Sequence, residues 1–467
     1  MGHGPATVRP GDEERWRVAV GRRTVRWRSR PWTALRPALV SVVVAAVTLM
    51  GQTGSVAAEG AEAAGSGSYG FSSDDQPVDG AAGTGDAELL VPGKTYKSAL
   101  PADSDVYYRL ELDDASDAYV SVTAVPRAGA TVTASDGIRV TVQDADSRNC
   151  SIESELVRAG RSPRPVVVSG MREISSRRTA CQDEGSYYVI VHRIAGTGGT
   201  PDDWDLELAP FLEPRLENAV GTTPPESPDP DSDSASPGGV RGVATPRSGG
   251  AGFGSAAPVE QGVWSADISP GQTLFYAVPV GWGQRLGATA ELGSTVRGAY
   301  VGGALTMSLC NPARGPVTDV SLGYSGGQKS ASLRSVPPVD YANRYGSSGA
   351  VSGMRFAGSY YLVLHLSERM GEEFGAGPFE VTLRVRVDGS AEAGPAYAGR
   401  FQPPGPFEVA AQGPGAAEGG DGGGGGAAGD DAVMTVVAVA GIGGGTVLLG
   451  VLGVWTVVAR RRAGGAA

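Results

Sequence analysis

The sequence has few cysteines, few histidines and few long apolar runs, and each shortage excludes a class of protein. Three cysteines in 467 residues exclude a disulfide-dense miniprotein. The long apolar stretches are confined to the two ends, which excludes a polytopic transporter. Glycine and proline are abundant, with 72 and 32 residues, but follow no collagen-like period. Their excess indicates globular domains joined by long flexible stretches.

The shortage of histidine weakens the case for catalysis. His3 lies in an N-terminal segment that we expect to be removed, and His192 and His365 occupy equivalent positions of a repeated strand. A Ser-His or Cys-His site needs a base beside its nucleophile, so a duplicated strand residue is better explained as structural. No HExxH, Cys/His metal spacing, P-loop or GxSxG occurs in a suitable setting. The sequence therefore predicts no enzyme, no cofactor, and no catalytic, cofactor-binding or metal-ligating residue.

The charge distribution disfavours nucleic acid as a partner. The formal net charge is -11, and arginine is concentrated near both ends of the chain. The long region between them is therefore more acidic than the total suggests. Such a region repels a phosphate backbone and suits a solvated, soluble surface.

The N-terminal apolar run indicates export. Residues 38–50 are apolar and follow an Arg-rich stretch. This run is too short to span about 30 Å of hydrocarbon comfortably, but it suits the core of a signal peptide. The small residues at 56–58 fit a cleavage site before Glu59. We interpret 1–58 as a signal peptide, with an uncleaved anchor as the alternative.

The C-terminal apolar run predicts a transmembrane helix. Residues 432–459 carry no charge, follow two aspartates and precede three arginines, which places 460–467 in the cytoplasm as a short basic tail. The predicted localisation is the cell membrane, single-pass, with the body extracellular. Gly441 and Gly445 form a small-xxx-small pair that permits self-association of the helix. A helix that is merely rich in glycine is the alternative.

Four sequence blocks recur in the same order, which indicates a duplicated domain. One block, Val-Ser-Gly-Met-Arg, is identical in both copies, and another contains Gly-Ser-Tyr-Tyr in both. The paired blocks begin at Tyr96 and Trp264, at Val168 and Val351, at Gly185 and Gly358, and at Trp204 and Phe379.

The repeated blocks are typical of β-strands. Aromatic and β-branched residues are concentrated in short runs bounded by Gly, Ser, Pro and Asp, and residues 108–112 alternate between apolar and polar. The predicted fold class is mainly β, with two tandem antiparallel β-sandwich (jelly-roll-like) domains, disordered linkers and one C-terminal transmembrane helix.

The composition also sets the predicted domain boundaries. Stretches rich in Pro, Ser, Gly and acid cannot bury enough apolar surface to fold. In chain order we expect a signal peptide at 1–58, a disordered acidic linker at 59–84, sandwich repeat 1 at 85–211, a Pro/Ser/Gly-rich linker at 212–256, sandwich repeat 2 at 257–388, a Gly/Pro-rich stalk at 389–431, a transmembrane helix at 432–459 and a tail at 460–467.

The repeats resemble a known family. Each has an early Tyr or Trp, then a hydrophobic-Tyr/Phe-Tyr strand, a late Gly-x-Tyr-Tyr strand and a closing hydrophobic strand. This pattern, over about 86–211 and 257–388, is similar to the bacterial pre-peptidase C-terminal domains. The resemblance implies jelly-roll-like sandwiches of the kind that are appended to exported enzymes and serve in binding or targeting. No catalytic domain accompanies the repeats in this chain.

Three short acidic clusters are candidate calcium-binding sites. They comprise Asp103 and Asp105; Asp113, Asp114 and Asp117; and Asp144, Asp146 and Asn149. None has the glycine and terminal glutamate of an EF-hand loop, and the second repeat has no matching cluster. Solvated turns are the better explanation.

These features together predict a non-catalytic, surface-anchored binding or assembly protein. Its expected partner is an envelope polymer or another membrane or surface protein. An accessory subunit of an envelope export or surface complex is the first alternative. An exported hydrolase is the second, and the shortage of histidine disfavours it.

The first testable prediction is a disulfide between Cys150 and Cys181. Export exposes the chain to oxidation, and Cys181 lies in an insertion that the second repeat lacks. Cys310 follows a strand comparable to the one before Cys150, and would be left over, either buried or able to link a partner. Closing the loop is worth about 3 kcal/mol. Non-reducing peptide mass spectrometry should detect the linked pair, and free thiols at both positions would contradict it.

Overall fold

The structure, a computed structural model, describes residues 69–409 except 103, 159–161, 176–177, 219–220, 222 and 224–241. The predicted signal peptide, transmembrane helix and cytoplasmic tail lie outside the described residues. Within the described part, no helix is long and apolar enough to cross a membrane. All described residues belong to one unit.

The described part is mainly β. The first group of strands is β1 (Gln76–Pro77), β2 (Glu88–Leu89), β3 (Tyr96–Leu100), β4 (Asp105–Leu112), β5 (Asp117–Val125), β6 (Gly137–Asp144), β7 (Asn149–Leu156), β8 (Val166–Arg172), β9 (Gly185–Ile194) and β10 (Trp204–Glu213). The second group is β11 (Thr245–Pro246), β12 (Ala257–Pro258), β13 (Gly262–Ile268), β14 (Thr273–Val280), β15 (Arg285–Leu292), β16 (Val301–Cys310), β17 (Pro316–Tyr324), β18 (Lys329–Ser332), β19 (Gly358–Leu366) and β20 (Phe379–Asp388). The helices are α1 (Gly349–Ser352), α2 (Arg369–Phe374) and the 3₁₀ turns Thr84–Asp86, Phe253–Ser255, Tyr341–Tyr345 and Gly405–Phe407.

Each group of ten strands forms a pair of five-stranded sheets. The first sandwich has sheet I, in the order β1-β3-β10-β5-β8, and sheet II, in the order β2-β4-β9-β6-β7. The second sandwich has sheet III, β11-β13-β20-β15-β18, and sheet IV, β12-β14-β19-β16-β17. The two orders are identical after a shift of ten strands, as a duplicated domain requires. The longer strands pair antiparallel, and the two-residue strands add parallel edges.

Alternation of side chains explains which face of a strand is buried. In β4, Tyr108, Leu110 and Leu112 point into the first core, while Arg109 and Glu111 point outward. In β19, which is the equivalent of β9, both faces are buried. A strand buried on both faces must be covered on its outer side by another layer.

The outer face of sheet IV is covered by the outer face of sheet I, so the two sandwiches pack sheet on sheet. Tyr119, Ala209 and Phe211 of sheet I pack with Ala313 and Phe356 of the second sandwich. A second apolar cluster continues the contact with Phe275, Tyr361 and Val363 of sheet IV. The layers therefore run in the order II, I, IV, III.

One repeated block does not keep its secondary structure. Residues 168–172 form most of strand β8, but the identical pentapeptide at 351–355 begins in helix α1 and continues as irregular backbone. The prediction that all repeated blocks are strands is wrong here. Ser348 caps α1 by accepting a hydrogen bond from the Val351 N–H, and β18 takes the edge position in sheet III that β8 holds in sheet I.

Parts of all three predicted linkers are folded. Within 59–84, Tyr69 is buried between the sandwiches and β1 adds to sheet I. Within 212–256, β11 adds to sheet III and Phe253 packs against Phe275. Composition predicted these segments to be disordered, but a single aromatic ring can bury enough apolar area to hold such a segment against a sandwich.

The predicted stalk also begins as a folded strap, residues 396–407. It forms two isolated β-bridges. Gln402 pairs with Leu212, near the end of β10, and Tyr397 pairs with Leu216, just after β10. Phe401 and Phe407 stack on each other with ring centroids 4.1 Å apart, and both contact the ring of Phe356. The strap therefore ties the first sandwich to the second.

The packing at Phe356 predicts that the two sandwiches unfold together. Phe356 is 1% exposed, and its ring lies edge-on to Tyr119 at 5.2 Å. Replacing it with alanine should cost about 3–5 kcal/mol. We expect calorimetry to show one transition for the native chain and two for Phe356→Ala.

The matched control for that variant is Phe374→Ala. Phe374 packs against Tyr324 inside the second sandwich, 5.3 Å between ring centroids, and has no part in the contact with sheet I. It should lower the unfolding temperature without separating the transitions. If both variants unfold in the same way, Phe356 is not what couples the sandwiches.

Candidate binding cleft between the sandwiches

A cleft of about 350 Å³ opens where the edge of sheet I meets the loops of the second sandwich. Its first wall is formed by β7 and β8, and its second by the β16–β17 turn, α1 and the residues that follow α1. Both copies of the Val-Ser-Gly-Met-Arg block contribute to it, one from each side.

The first wall exposes the free edge of strand β8. The Met171 N–H donates to Ser151 Oγ on β7 at 2.8 Å, so it points away from its ladder partner Tyr119. Outward and inward backbone groups alternate along an antiparallel strand. The N–H and C=O groups of Ser169 and Val167 therefore also point away from β5. Within the described residues, no hydrogen bond takes these outward groups.

The second wall is held rigidly by hydrogen bonds. The Asn311 side-chain amide donates to the Gly353 carbonyl at 3.2 Å, and its oxygen accepts the Gly315 N–H at 2.9 Å. Asn311 is buried, so these bonds satisfy a polar group that would otherwise be costly there. They fix the β16–β17 turn to the end of α1.

The charge that the cleft leaves uncommitted is negative. Glu155 lies near Arg158 and Arg164, at 3.0 and 3.9 Å. No side chain in the described part pairs with Glu153, and partial burial raises the pKa of its carboxyl. A cationic group entering the cleft would therefore find Glu153 available.

Buried ion pairs fix the two walls relative to each other. Each pair joins an arginine of the second sandwich to a carboxylate of the first, and all these side chains are largely buried. The pairs are Arg314 with Glu207, Arg344 with Asp117 and Glu213, and Arg355 with Glu173. Removing one partner of a buried pair costs about 3–5 kcal/mol, because the other charge is left uncompensated. The cleft therefore has a defined width.

Arg344 serves two carboxylates at once. Its guanidinium reaches Asp117 at 3.1 Å and also contacts Glu213, which accepts further hydrogen bonds from the hydroxyls of Tyr119 and Tyr397, both at 2.9 Å. Burial and the neighbouring Glu213 raise the pKa of Asp117 to about 7, although Arg344 opposes this.

A second hollow, of about 650 Å³, lies on the second sandwich at one end of sheet III. Phe374 and Phe379 contribute apolar surface, and Glu291 and Glu380 contribute acid. The Gln328 side-chain amide donates a hydrogen bond to Glu291 at 2.7 Å, so one carboxylate oxygen of Glu291 already has a partner. This hollow is built from one sandwich, whereas the cleft requires both.

The two equivalent histidines have different surroundings. His192 is exposed, and its Nδ1 lies 2.7 Å from Asp105. His365 is buried, with Nδ1 2.9 Å from Thr273 Oγ1 and Nε2 2.9 Å from Ser162 Oγ. Burial, and secondarily the charge of Arg164, lowers the pKa of His365 to about 3.

The Ser162–His365 pair is a contact between the sandwiches. Ser162 Oγ accepts the Glu368 N–H at 3.0 Å and lies within hydrogen-bonding distance of His365 Nε2, at 2.9 Å. On the other side of the ring, Nδ1 lies within hydrogen-bonding distance of Thr273 Oγ1. Ser162 is 2% exposed, so a substrate has no access to its hydroxyl. The geometry supports a structural role for this histidine.

The acidic clusters act mainly in turns and ion pairs. Asp113 accepts the N–H groups of Ala115 and Ser116, which hold its pKa below the ordinary value despite some burial. Asp144 accepts the N–H and the guanidinium of Arg148. Asp105 pairs with His192, and Asp103 lies outside the described residues. Among the described residues, no group of three or more His, Cys, Asp or Glu side chains is arranged to hold a metal ion.

Cys150 and Cys181 form the disulfide predicted from the sequence, with their Cα atoms 5.7 Å apart. Cys310 is free and buried in the contact between the sandwiches, where burial raises its pKa to about 12. Although Cys310 and Cys150 follow comparable runs of sequence, the two cysteines are not equivalent positions. Cys310 pairs with Tyr361 as Gln143 pairs with Tyr188, so its counterpart is Gln143.

Comparisons with known proteins give no family. No family model matches the chain, and no curated protein matches it. One similar solved structure is the CUB1-EGF-CUB2 domain of human MASP-1/3, with 10% identity, 62% of this chain and 99% of the other covered, and a TM-score of 0.16. Another is the N-terminal CBM22-1-CBM22-2 tandem domain of Paenibacillus barcinonensis Xyn10C, with 9% identity, 64% and 92% coverage, and a TM-score of 0.17. Scores this low do not establish a common overall arrangement.

The fold and the cleft define a mainly β protein of two sandwich-like domains with a composite surface between them. Sequence reasoning missed the cleft, because its walls come from strands and loops far apart in the chain. It also missed the interface arginines, since one arginine among many gives no signal of its own. The weak signal that was available is the recurrence of Val-Ser-Gly-Met-Arg, whose copies flank the cleft.

The buried His365 predicts a specific pH dependence. An unfolded chain protonates this histidine below about pH 6.5, whereas the folded chain does so only near 3. The contribution of His365 to the free energy of unfolding should therefore fall by up to about 1.4 kcal/mol per pH unit as the pH decreases between these values. Asp117 contributes in the opposite direction, so the effect is measured as a difference between variants.

Urea unfolding of the native chain and His365→Gln at pH 7, 6 and 5 checks this prediction. The native chain should lose stability relative to the variant as the pH decreases. His192→Gln is the matched control, because it removes the exposed counterpart. A constant difference between the native chain and His365→Gln across this range would contradict the prediction.

Proposed function

We propose that this chain is a non-catalytic binding or assembly protein that presents two fused β-sandwiches outside the membrane. The observation that carries the proposal is the composite cleft. Buried ion pairs hold the two domains in a fixed arrangement, and this arrangement forms a polar surface that neither domain has alone. A defined concave surface with convergent polar groups is what a binding protein needs.

The chemistry of the described residues supports binding over catalysis. His365 and Ser162 are committed to each other inside the interface, and His192 is paired with Asp105 on an exposed face. In the cleft itself, Glu153 has no histidine, cysteine or second free carboxylate beside it among the described lining residues. General acid–base chemistry on a substrate needs such a pair in reach of one another.

The strand order supports the finer fold assignment within this proposal. The longer strands run β3-β10-β5-β8 in one sheet and β4-β9-β6-β7 in the facing sheet, which is the order of a jelly roll, and the second sandwich repeats it. The resemblance to pre-peptidase C-terminal domains points in the same direction. A domain of that kind in an exported chain would serve in binding or targeting.

The proposed location is the cell membrane, with the sandwiches outside and the tail at 460–467 inside. The sequence features at 1–58 and 432–459 support this topology. An envelope polymer or another surface protein is the proposed partner. An accessory subunit held through its transmembrane helix is the alternative within the same topology.

A crosslinking pull-down from the native envelope tests the proposal. The bait is the full chain, compared with a copy truncated after Val409, because residues up to 407 pack against the sandwiches. We expect the truncated chain to retain the partner and Glu153→Arg to lose most of it, since this change reverses the free charge of the cleft.

The matched control is Asp267→Arg, which makes the same charge change at an exposed position of β13, on the other sandwich. It should capture as much partner as the native chain. A partner lost on truncation but retained by Glu153→Arg would favour the accessory subunit. Turnover of an envelope substrate by the purified chain would overturn the non-catalytic assignment.

A further inference from the structure

We propose that the cleft binds an extended polypeptide segment bearing a basic side chain, which adds as a strand to the free edge of β8. This inference rests on the proposed binding function and specifies the class of partner. It depends on two independent features, the unpaired backbone groups of β8 and the uncommitted carboxylate of Glu153.

The backbone of β8 supplies the recognition. Sheet I ends at β8, and the N–H and C=O groups of Val167 and Ser169 point away from β5. Both residues line the cleft. These are the groups with which an added strand forms its ladder. At about 3.3 Å per residue, the edge from Val167 to Met171 spans about 13 Å, enough for a short extended segment.

The surroundings select a peptide over an open-ended sheet. Ser151 already takes the Met171 N–H, so pairing stops at this end of the strand. The second wall, with Gly315 and Gly353, lines the same cleft and limits the thickness of what can enter. An unprotected edge would invite uncontrolled association, whereas a walled edge admits one chain.

The charge specifies one side chain of that peptide. Glu153 lines the cleft beside the β8 edge, and no described residue pairs with it. Side chains of an added strand alternate between the two faces of sheet I. Those on the inner face meet β7, where Glu153 lies, and a lysine or arginine there would satisfy its carboxylate.

The variant that tests the edge is Ser169→Pro. Ser169 is opposite Ser121 in a pair whose backbone groups point away from each other, so proline removes only the outward N–H and leaves the ladder to β5 intact. Its ring also projects into the space where the added strand would lie. Ser169→Ala is the matched control, because it keeps the N–H.

The experiment selects a random heptapeptide phage library on the immobilised full chain, purified in mild detergent. Excess soluble Ser169→Pro protein is present as a competitor, so that peptides binding elsewhere on the protein are removed. We expect enriched peptides to carry a basic residue among alternating β-branched residues. Fluorescence anisotropy with the best labelled peptide should show at least about tenfold weaker binding to Ser169→Pro and unchanged binding to Ser169→Ala. Glu153→Gln should weaken binding of the basic peptide about threefold or more. It should hardly change binding of the same peptide with its lysine replaced by alanine.

A second measurement does not depend on the folding of any variant. N-methylation of alternate amides in the labelled peptide removes backbone donors while keeping the side chains. One of the two methylation registers should abolish binding to the native chain, and the other should preserve it. Equal binding in both registers would overturn strand addition.

Two other outcomes would also overturn the inference. These are enrichment of no peptide and equal binding to Ser169→Pro and the native chain. If the pull-down from the envelope nevertheless captures a polysaccharide that Glu153→Arg loses, the binding function stands and the peptide assignment fails. If the pull-down yields no partner at all, the binding function itself fails.

Discussion

The structure depends on arginines of one sandwich that are buried against carboxylates of the other. Arg314, Arg344 and Arg355 all belong to the second sandwich, and the acids that they meet all belong to the first. Apolar contact alone would let two sheets slide over each other. Buried charges prevent sliding, because any displacement would leave an ion without its partner in a medium of low dielectric constant. Such pairs therefore favour one orientation of the two sandwiches.

The two sandwiches pack head to tail, although they derive from one duplicated domain. Sheet I of the first covers sheet IV of the second, and sheet IV is the counterpart of sheet II. A contact of this kind can in principle repeat without end. The sequence prevents repetition on one side: where sheet I presents Tyr119 and Phe211, the equivalent positions of sheet III are Gly287 and Arg386. The loss of the aromatic pair makes sheet III a solvated end face.

Much of the fold was predictable from local pattern, and the failures have a common physical cause. Alternation and aromatic blocks predicted the strands and the duplication because those signals depend on neighbours in sequence. The linkers were partly wrong because Tyr69, Phe253 and Phe401 are isolated rings in Gly- and Pro-rich sequence. Their burial depends on a partner surface that the second sandwich supplies. The helical copy of Val-Ser-Gly-Met-Arg shows the same effect, since its conformation is set by Ser348 and by the displaced β18.

The cleft was beyond sequence reasoning for a further reason. Its walls are individually unremarkable: an edge strand in one domain, a tight turn and a helical turn in the other. Only the packing of the two sandwiches, which the buried ion pairs fix, brings Ser169 and Gly315 into the lining of one cleft. An edge strand left in solvent is a liability, and proteins usually blunt it with charge, proline or a cover. Here β8 carries its free groups beneath a wall fixed by the same interface, so the arrangement that protects the edge from casual pairing also leaves room for one chain. A change that loosens the interface should therefore weaken recognition at the cleft even when it lies far from the cleft itself.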